Sequence, residues 1–119
     1  MYDQNNIFAR ILRNEIPCQK IAEDEWFLSF YDVAPKAVVH ALVIPKGPYK
    51  NIHDFISNAE AERVVCFWKG VDTTITLLSL KENGYRLIAN TGNNSHQEVP
   101  HFHVHILGGQ DLGPKLVKS

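Results

Sequence analysis

Pro100-His101-Phe102-His103-Val104-His105-Ile106-Leu107-Gly108-Gly109 holds three of the chain's six histidines, alternating with Phe102, Val104 and Ile106. Phe, Val and Ile favour strands, and Pro100 and the Gly108-Gly109 pair punctuate the two ends, so a β-strand is predicted here. Successive side chains on a strand point to opposite faces. The three imidazoles therefore share one face, and the apolar residues between them lie on the other, against a core. In a helix the same spacing would turn His103 away from its neighbours.

A single histidine on a strand is most often an ordinary, satisfied polar residue, but three in strict alternation point to chemistry. Imidazole titrates near neutrality, so a row of them offers a nucleophile, an acid, a base or metal ligands. Geometry limits the metal option. At about 3.4 Å rise per residue, His101 and His103 stand roughly 7 Å apart along the strand, and His101 and His105 roughly 14 Å. Zinc needs each nitrogen at about 2.0–2.1 Å. Two neighbouring imidazoles can converge on one ion with further ligands from elsewhere, whereas all three cannot unless the strand bends. Imidazoles that pass protons or hydrogen bonds along the strand meet no such obstacle.

The 119 residues are read as one domain, 1–119, small enough that pairing with a second copy would help it bury surface. Twelve basic and 13 acidic residues give a net charge of −1, and neither sign runs in a block. That pattern argues against a nucleic-acid backbone or a membrane surface as partner. The opening six residues are polar and no apolar run approaches the ~20 residues of a spanning helix, so neither a signal peptide nor an anchor is expected. Cys18 and Cys66 are far apart and fit no metal or redox spacing, which agrees with a reducing, cytoplasmic setting.

Ile7, Phe8, Ile11 and Leu12 fall on one helical face over residues 7–13, and Pro17 forces an end soon after. Gln19 to Glu23 and Trp26 to Tyr31 read as a hairpin with a turn at Asp24-Glu25. Asp32 closes its second strand and opens a loop broken by Pro35, either as a turn residue or as a ligand contact. Val38 to Ile44 is almost continuously apolar, as in a central strand buried on both faces, and only His40 interrupts it. By pattern alone His40 reads as a core histidine; a site rich in other histidines is the competing explanation. Residues 52–55 suggest one helical turn. A capping box at Ser57 and Glu60 opens a long helix on which Ala61, Val64, Trp68, Val71, Ile75 and Leu78 recur, running to Lys81 and stopping at Asn83-Gly84. Tyr85 to Asn90 is a further strand, and a loop rich in amides and hydroxyls, Asn90 to Ser95, leads to the histidines. Such a loop suits an anionic, oxygen-rich ligand.

These blocks together resemble the histidine triad family, in its nucleotide-binding hydrolase branch. Ile7-Phe8 with Ile16-Pro17, Phe30 to Pro35, His40 to Lys46, Gly84 to Asn90 and Gln97 to His105 with Gly108-Gly109 occur in the family's order. The signature His-apolar-His-apolar-His-apolar-apolar stands at His101 to Leu107. The resemblance implies an α+β fold: a five-stranded antiparallel sheet with one long and one short helix, pairing into a homodimer with a ten-stranded sheet. It further implies a hydrolase that needs no metal or other cofactor. Such an enzyme binds purine nucleoside monophosphates and cleaves their phosphoramidates, AMP-amine conjugates, at the α-phosphorus.

By that resemblance His103 is the nucleophile that forms a nucleotidyl-histidine, and His101, His105 and His40 orient it and contact phosphate. Asp32 takes the ribose hydroxyls, with Phe30, Val33 and Ile11 on base and ribose. Asn90, Gln97 and Val99 line the phosphate pocket. Three positions depart from the family pattern. His96 replaces the usual glycine before Gln97, Glu98 stands where animal relatives have serine, and Asn6, Ala9 and Pro48 replace the zinc ligands of zinc-carrying relatives. Two rival readings stand beside the phosphoramidase: a nucleotide-binding module with incidental catalysis, and a zinc hydrolase built on the His101/His103 pair.

Overall fold

Six of the seven residues of the strand β3 (Val39–Pro45) are buried, and in the computed structural model, which describes residues 1–115, the sheet is assembled around it. Before it come a helix, α1 (Ile7–Leu12), and the hairpin β1 (Lys20–Glu23) and β2 (Phe27–Tyr31). After it come α2 (Ile52–Asn58), α3 (Ala61–Leu77), β4 (Tyr85–Ile88) and β5 (Val104–Gly108). All neighbours are antiparallel, in the order β1-β2-β3-β5-β4. The architecture is the expected α+β one with five antiparallel strands, but with two short helices, α1 and α2, beside the long α3. Residues 116–119 of the expected domain lie outside the described residues.

Local chemistry explains the boundaries, including those the sequence pattern misplaces. Asn6 caps α1, its side-chain oxygen accepting from the Ala9 amide at 2.9 Å, and Asn14 ends it in the left-handed conformation at φ 63°. The helix buries Phe8, Ala9 and Ile11. Ile7, expected on the same face, is instead 46 % exposed. Asp24 accepts from the amides of Trp26 and Phe27 at 2.7 and 3.1 Å and so turns the hairpin.

The predicted capping box does not form: Ser57 lies inside α2, which Asn51 caps and which is longer than one turn, and Glu60 makes no side-chain cap bond to α3. Nor does α3 reach Lys81. Ser79 at φ 58° donates to Thr76, and Leu80 to Ile75, the paired bonds of a Schellman stop, which drive Leu80 back into the core. On the buried stripe, Phe67, Gly70 and Thr74 accompany Val71 and Ile75, while Ala61 is exposed. Thr74 is tolerated there because its hydroxyl bonds the Gly70 carbonyl and the Ser29 hydroxyl.

The histidine strand begins later than predicted. β5 starts at Val104, because the His101 and Phe102 amides bond the carbonyls of Val99 and Tyr49 instead of the sheet ladder. The alternation of faces nonetheless runs the whole length. Phe102, Val104 and Ile106 enter the larger core with Phe55, Phe67 and Val71, on the face covered by α3. Phe102 stacks on Phe55 with ring centroids 5.2 Å apart. On the opposite face Phe8, Ile11, Leu28, Phe30, Leu42 and Ile44 form a second cluster beneath α1, and the imidazoles stand beside it. Each apolar residue locked into the first core thus anchors a histidine on the second face.

Candidate active site

His101 and His103 are buried, at 0 and 7 % exposure, and His40 on β3 is buried beside a half-buried His105. Their hydrogen bonds decide where each proton sits, since a carbonyl only accepts and a backbone amide only donates. His103 Nδ1 lies 2.7 Å from the His101 carbonyl, so it carries the proton and Nε2 holds a lone pair. His101 Nε2 donates to the Pro45 carbonyl at 3.1 Å, and its Nδ1 accepts from the Tyr2 hydroxyl at 2.6 Å. His40 Nδ1 accepts from the Lys36 amide at 2.9 Å, so its proton is on Nε2, which donates to His105 Nδ1 at 2.9 Å. His105 therefore carries its own proton on Nε2.

Burial depresses the pKa of all four rings below the ordinary value of 6.5. His101 is pushed down to about 4, burial outweighing the Pro45 bond; His105 falls to about 4 through burial and the neighbouring His103 and His40. For His40, burial outweighs the attraction of Asp32, whose carboxylate lies 3.4 Å from Nε2. At neutral pH the Asp32–His40 contact is therefore one between a carboxylate and a neutral ring. The rings of His103 and His105 stand edge to face, 5.0 Å between centroids. A nitrogen lone pair beside an N–H donor can attack an electrophile and hold the negative oxygen on it.

Asp32, His40 and His105 bring three ligating atoms within 4.8 Å of one another. The donor set does not suit a metal. A ligating imidazole donates its other N–H to an acceptor, whereas the far nitrogen of His40 already faces an N–H. A zinc site on the His101/His103 pair fails for a related reason: both His101 nitrogens are engaged, by Tyr2 and by Pro45.

Of the other expected site residues, Phe30 and Ile11 are buried in the second cluster, with Val99 half-buried against it. Ile11 and Leu28 also wall an adjoining cavity of about 300 Å³ that continues past Ile16, Cys18 and Lys20. Val33 stands apart, 99 % exposed. Asn90 is half-buried just past the end of β4. Gln97 braces its loop, donating to the carbonyls of Lys50 and Val99 at 2.8 and 3.1 Å and accepting from the Gly92 amide at 3.1 Å. His96 is left-handed at φ 59°, a conformation that glycine adopts without a steric penalty.

Three contributors escaped the sequence reading: Tyr2, the Lys36 amide, and Phe8, whose ring meets His103 edge-on at 5.0 Å. Phe8 was legible only as a helix-face residue. The other two join segments through single hydrogen bonds that leave no periodic trace.

A family model described as the HIT domain matches residues 13–112. A HIT-like protein of Azospirillum brasilense is 44 % identical over 118 residues, covering 99 % of this chain and 97 % of its own. The purine nucleoside phosphoramidase of Escherichia coli is 38 % identical over 114 residues, covering 95 and 94 %. A solved HIT family hydrolase from Clostridium thermocellum superposes with a TM-score of 0.87 at 37 % identity, over 96 % of this chain and 98 % of the other. With the histidine face, its order of blocks and these likenesses in agreement, the chain belongs to the histidine triad, or HIT, family.

Proposed function

We propose that the protein is a HIT hydrolase that cleaves purine nucleoside 5′-phosphoramidates through a nucleotidyl-histidine on His103. The observation that carries the reading is the 2.7 Å bond from His103 Nδ1 to the His101 carbonyl, which fixes the lone pair on Nε2. That lone pair attacks the α-phosphorus, a P–N bond to the ring forms, and the P–N bond to the amine breaks, the amine leaving with a proton taken from solvent, which the water of the second step gives back. As the ring becomes cationic its Nδ1–H bond to the carbonyl strengthens, so the contact favours the transition state over the ground state. The His105 Nε2–H donates to a phosphoryl oxygen while His40 holds that ring in its tautomer. Water then attacks phosphorus and returns a neutral imidazole and the nucleoside monophosphate.

Asp32 takes the ribose hydroxyls, and Phe30, Val33 and Ile11 the base and ribose. Asn90, Gln97 and Val99 shape the phosphate pocket. The names of the phosphoramidase and hydrolase relatives support the reaction class. No metal enters these steps. The protein works as a cytoplasmic single-domain homodimer, without nucleic acid or membrane. Among the described residues no helix is long and apolar enough to cross a membrane. Pairing of two sheets is supported by β4, an edge strand whose Tyr85 and Leu87 are 42 and 40 % exposed. A monomer in light scattering at micromolar concentration would refute the dimer.

Turnover of an AMP-amine conjugate, with chelator present, tests the reaction. The wild type turns over, and His103→Ala loses roughly three or more powers of ten, the scale of removing a covalent nucleophile. Equal, slow rates with AMP still bound would replace the enzyme by a nucleotide-binding module.

A further inference from the structure

A ring wholly out of solvent needs a partner for each of its nitrogens. The His101 imidazole, 0 % exposed, has Pro45 for Nε2–H, and for Nδ1 it has a residue 99 positions away, Tyr2, whose hydroxyl donates at 2.6 Å. The two rings also meet edge to face, 5.8 Å between centroids at 66°. The contact is built from both sides. Asp3 is tied by the Asn5 amide at 2.9 Å and by the Asn6 side chain at 2.7 Å, Gln4 by Arg13 at 2.8 Å, and Asn6 in turn caps α1. The segment before α1 is thus fastened at successive residues, with the Tyr2 phenol delivered under the histidine face.

We propose that Tyr2 is a positioning residue for the reaction assigned to His103, acting through His101. With both nitrogens bonded, the His101 ring cannot rotate, and its own peptide is held. The carbonyl of that peptide is the acceptor that fixes His103 Nδ1–H and leaves Nε2 free to attack. Removing the phenol hydroxyl orphans a buried acceptor, and the ring and its carbonyl relax to recover a partner. Tyr2 is not a proton relay: the chain of bonds ends on the Pro45 carbonyl, which cannot take a proton onward.

The inference rests on the phosphoramidase reading, and the test separates the two. In full-length Tyr2→Phe, kcat on an AMP-amine conjugate falls by about tenfold, the scale of one lost orienting hydrogen bond, while KM stays within about twofold. In ¹⁵N-histidine spectra the unprotonated Nδ1 of His101 moves several ppm toward the position of an unbonded nitrogen. An unchanged kcat, a loss carried by KM, or an unmoved His101 Nδ1 would overturn the proposal. Should Tyr2→Phe fold poorly, Tyr2→Ala supplied with phenol regains rate and with toluene does not; equal responses to the two would overturn it. If the wild type turns over no phosphoramidate, the parent reading falls, and the nitrogen resonances still decide whether Tyr2 holds His101.

Discussion

Acidification attacks this fold through His101 before it reaches the carboxylates. The ring's pKa is 6.5 in an open chain and about 4 in the fold, because burial disfavours the charged form. Above pH 6.5 the ring is neutral in both states; between 6.5 and 4 only the unfolded chain takes up the proton. Stability is therefore intact above the unfolded value and lost as pH falls toward the folded one. At about 1.4 kcal/mol per pH unit across the window, His101 alone removes roughly 2–3 kcal/mol by pH 4.5. That is a large share of the 5–15 kcal/mol typical of a domain. His105, also held near 4, adds in the same direction. Glu15 and Glu23 are held below 4.5 by their Arg and Lys partners, so their loss of stabilisation comes at lower pH. The assay is urea unfolding followed through Trp26 and Trp68 fluorescence from about pH 7 to about pH 4.5, with His101→Gln, which cannot titrate, alongside. Stability that stays flat over this range, or an identical slope in the variant, would refute the reasoning.

Gly70→Ala gains about 1 kcal/mol of helix propensity but puts a Cβ within 2.4 Å of the Phe27 ring, which is only 3 % exposed. Overpacking at about 1–3 kcal/mol offsets or exceeds that gain, and urea midpoints should show a net loss of up to about 2 kcal/mol; a stabilised variant would contradict the packing of α3 on β2. His96→Gly removes a side chain from a φ of 59°, and thermal unfolding should register a gain of about 0.5–1 kcal/mol, whereas a loss would mean the imidazole holds its loop.

The readable parts were those whose physics is local. Period-two alternation at His101 to His105 gave the face assignment whether or not the residues sit in a ladder, so the late start of β5 did not disturb it. The apolar run at β3 announced a central strand for the same reason. Asp32 and His40 carried no pattern of their own and were identified only through the family's blocks. The end of α3 was misread because a serine, not a glycine, takes the left-handed stop, and its stripe because Thr74 is a buried hydroxyl with partners on two elements. Tyr2 and the Lys36 amide were out of reach, since each acts through one hydrogen bond that only the folded chain creates.

The strand order carries a further consequence for the protein during its synthesis. β5, the last of the described strands in chain order, lies between β3 and β4, and β4 pairs with nothing else among the described strands. Until residues beyond 104 leave the ribosome, β3, buried along nearly its whole length in the finished fold, offers an open apolar edge, and β4 has no partner at all. The sheet, the imidazole row and the bond from residue 2 to residue 101 then close in one late step. A chain cut short of Val104 would expose a sticky strand rather than a weaker enzyme, so truncated products of this gene belong to the proteases and chaperones.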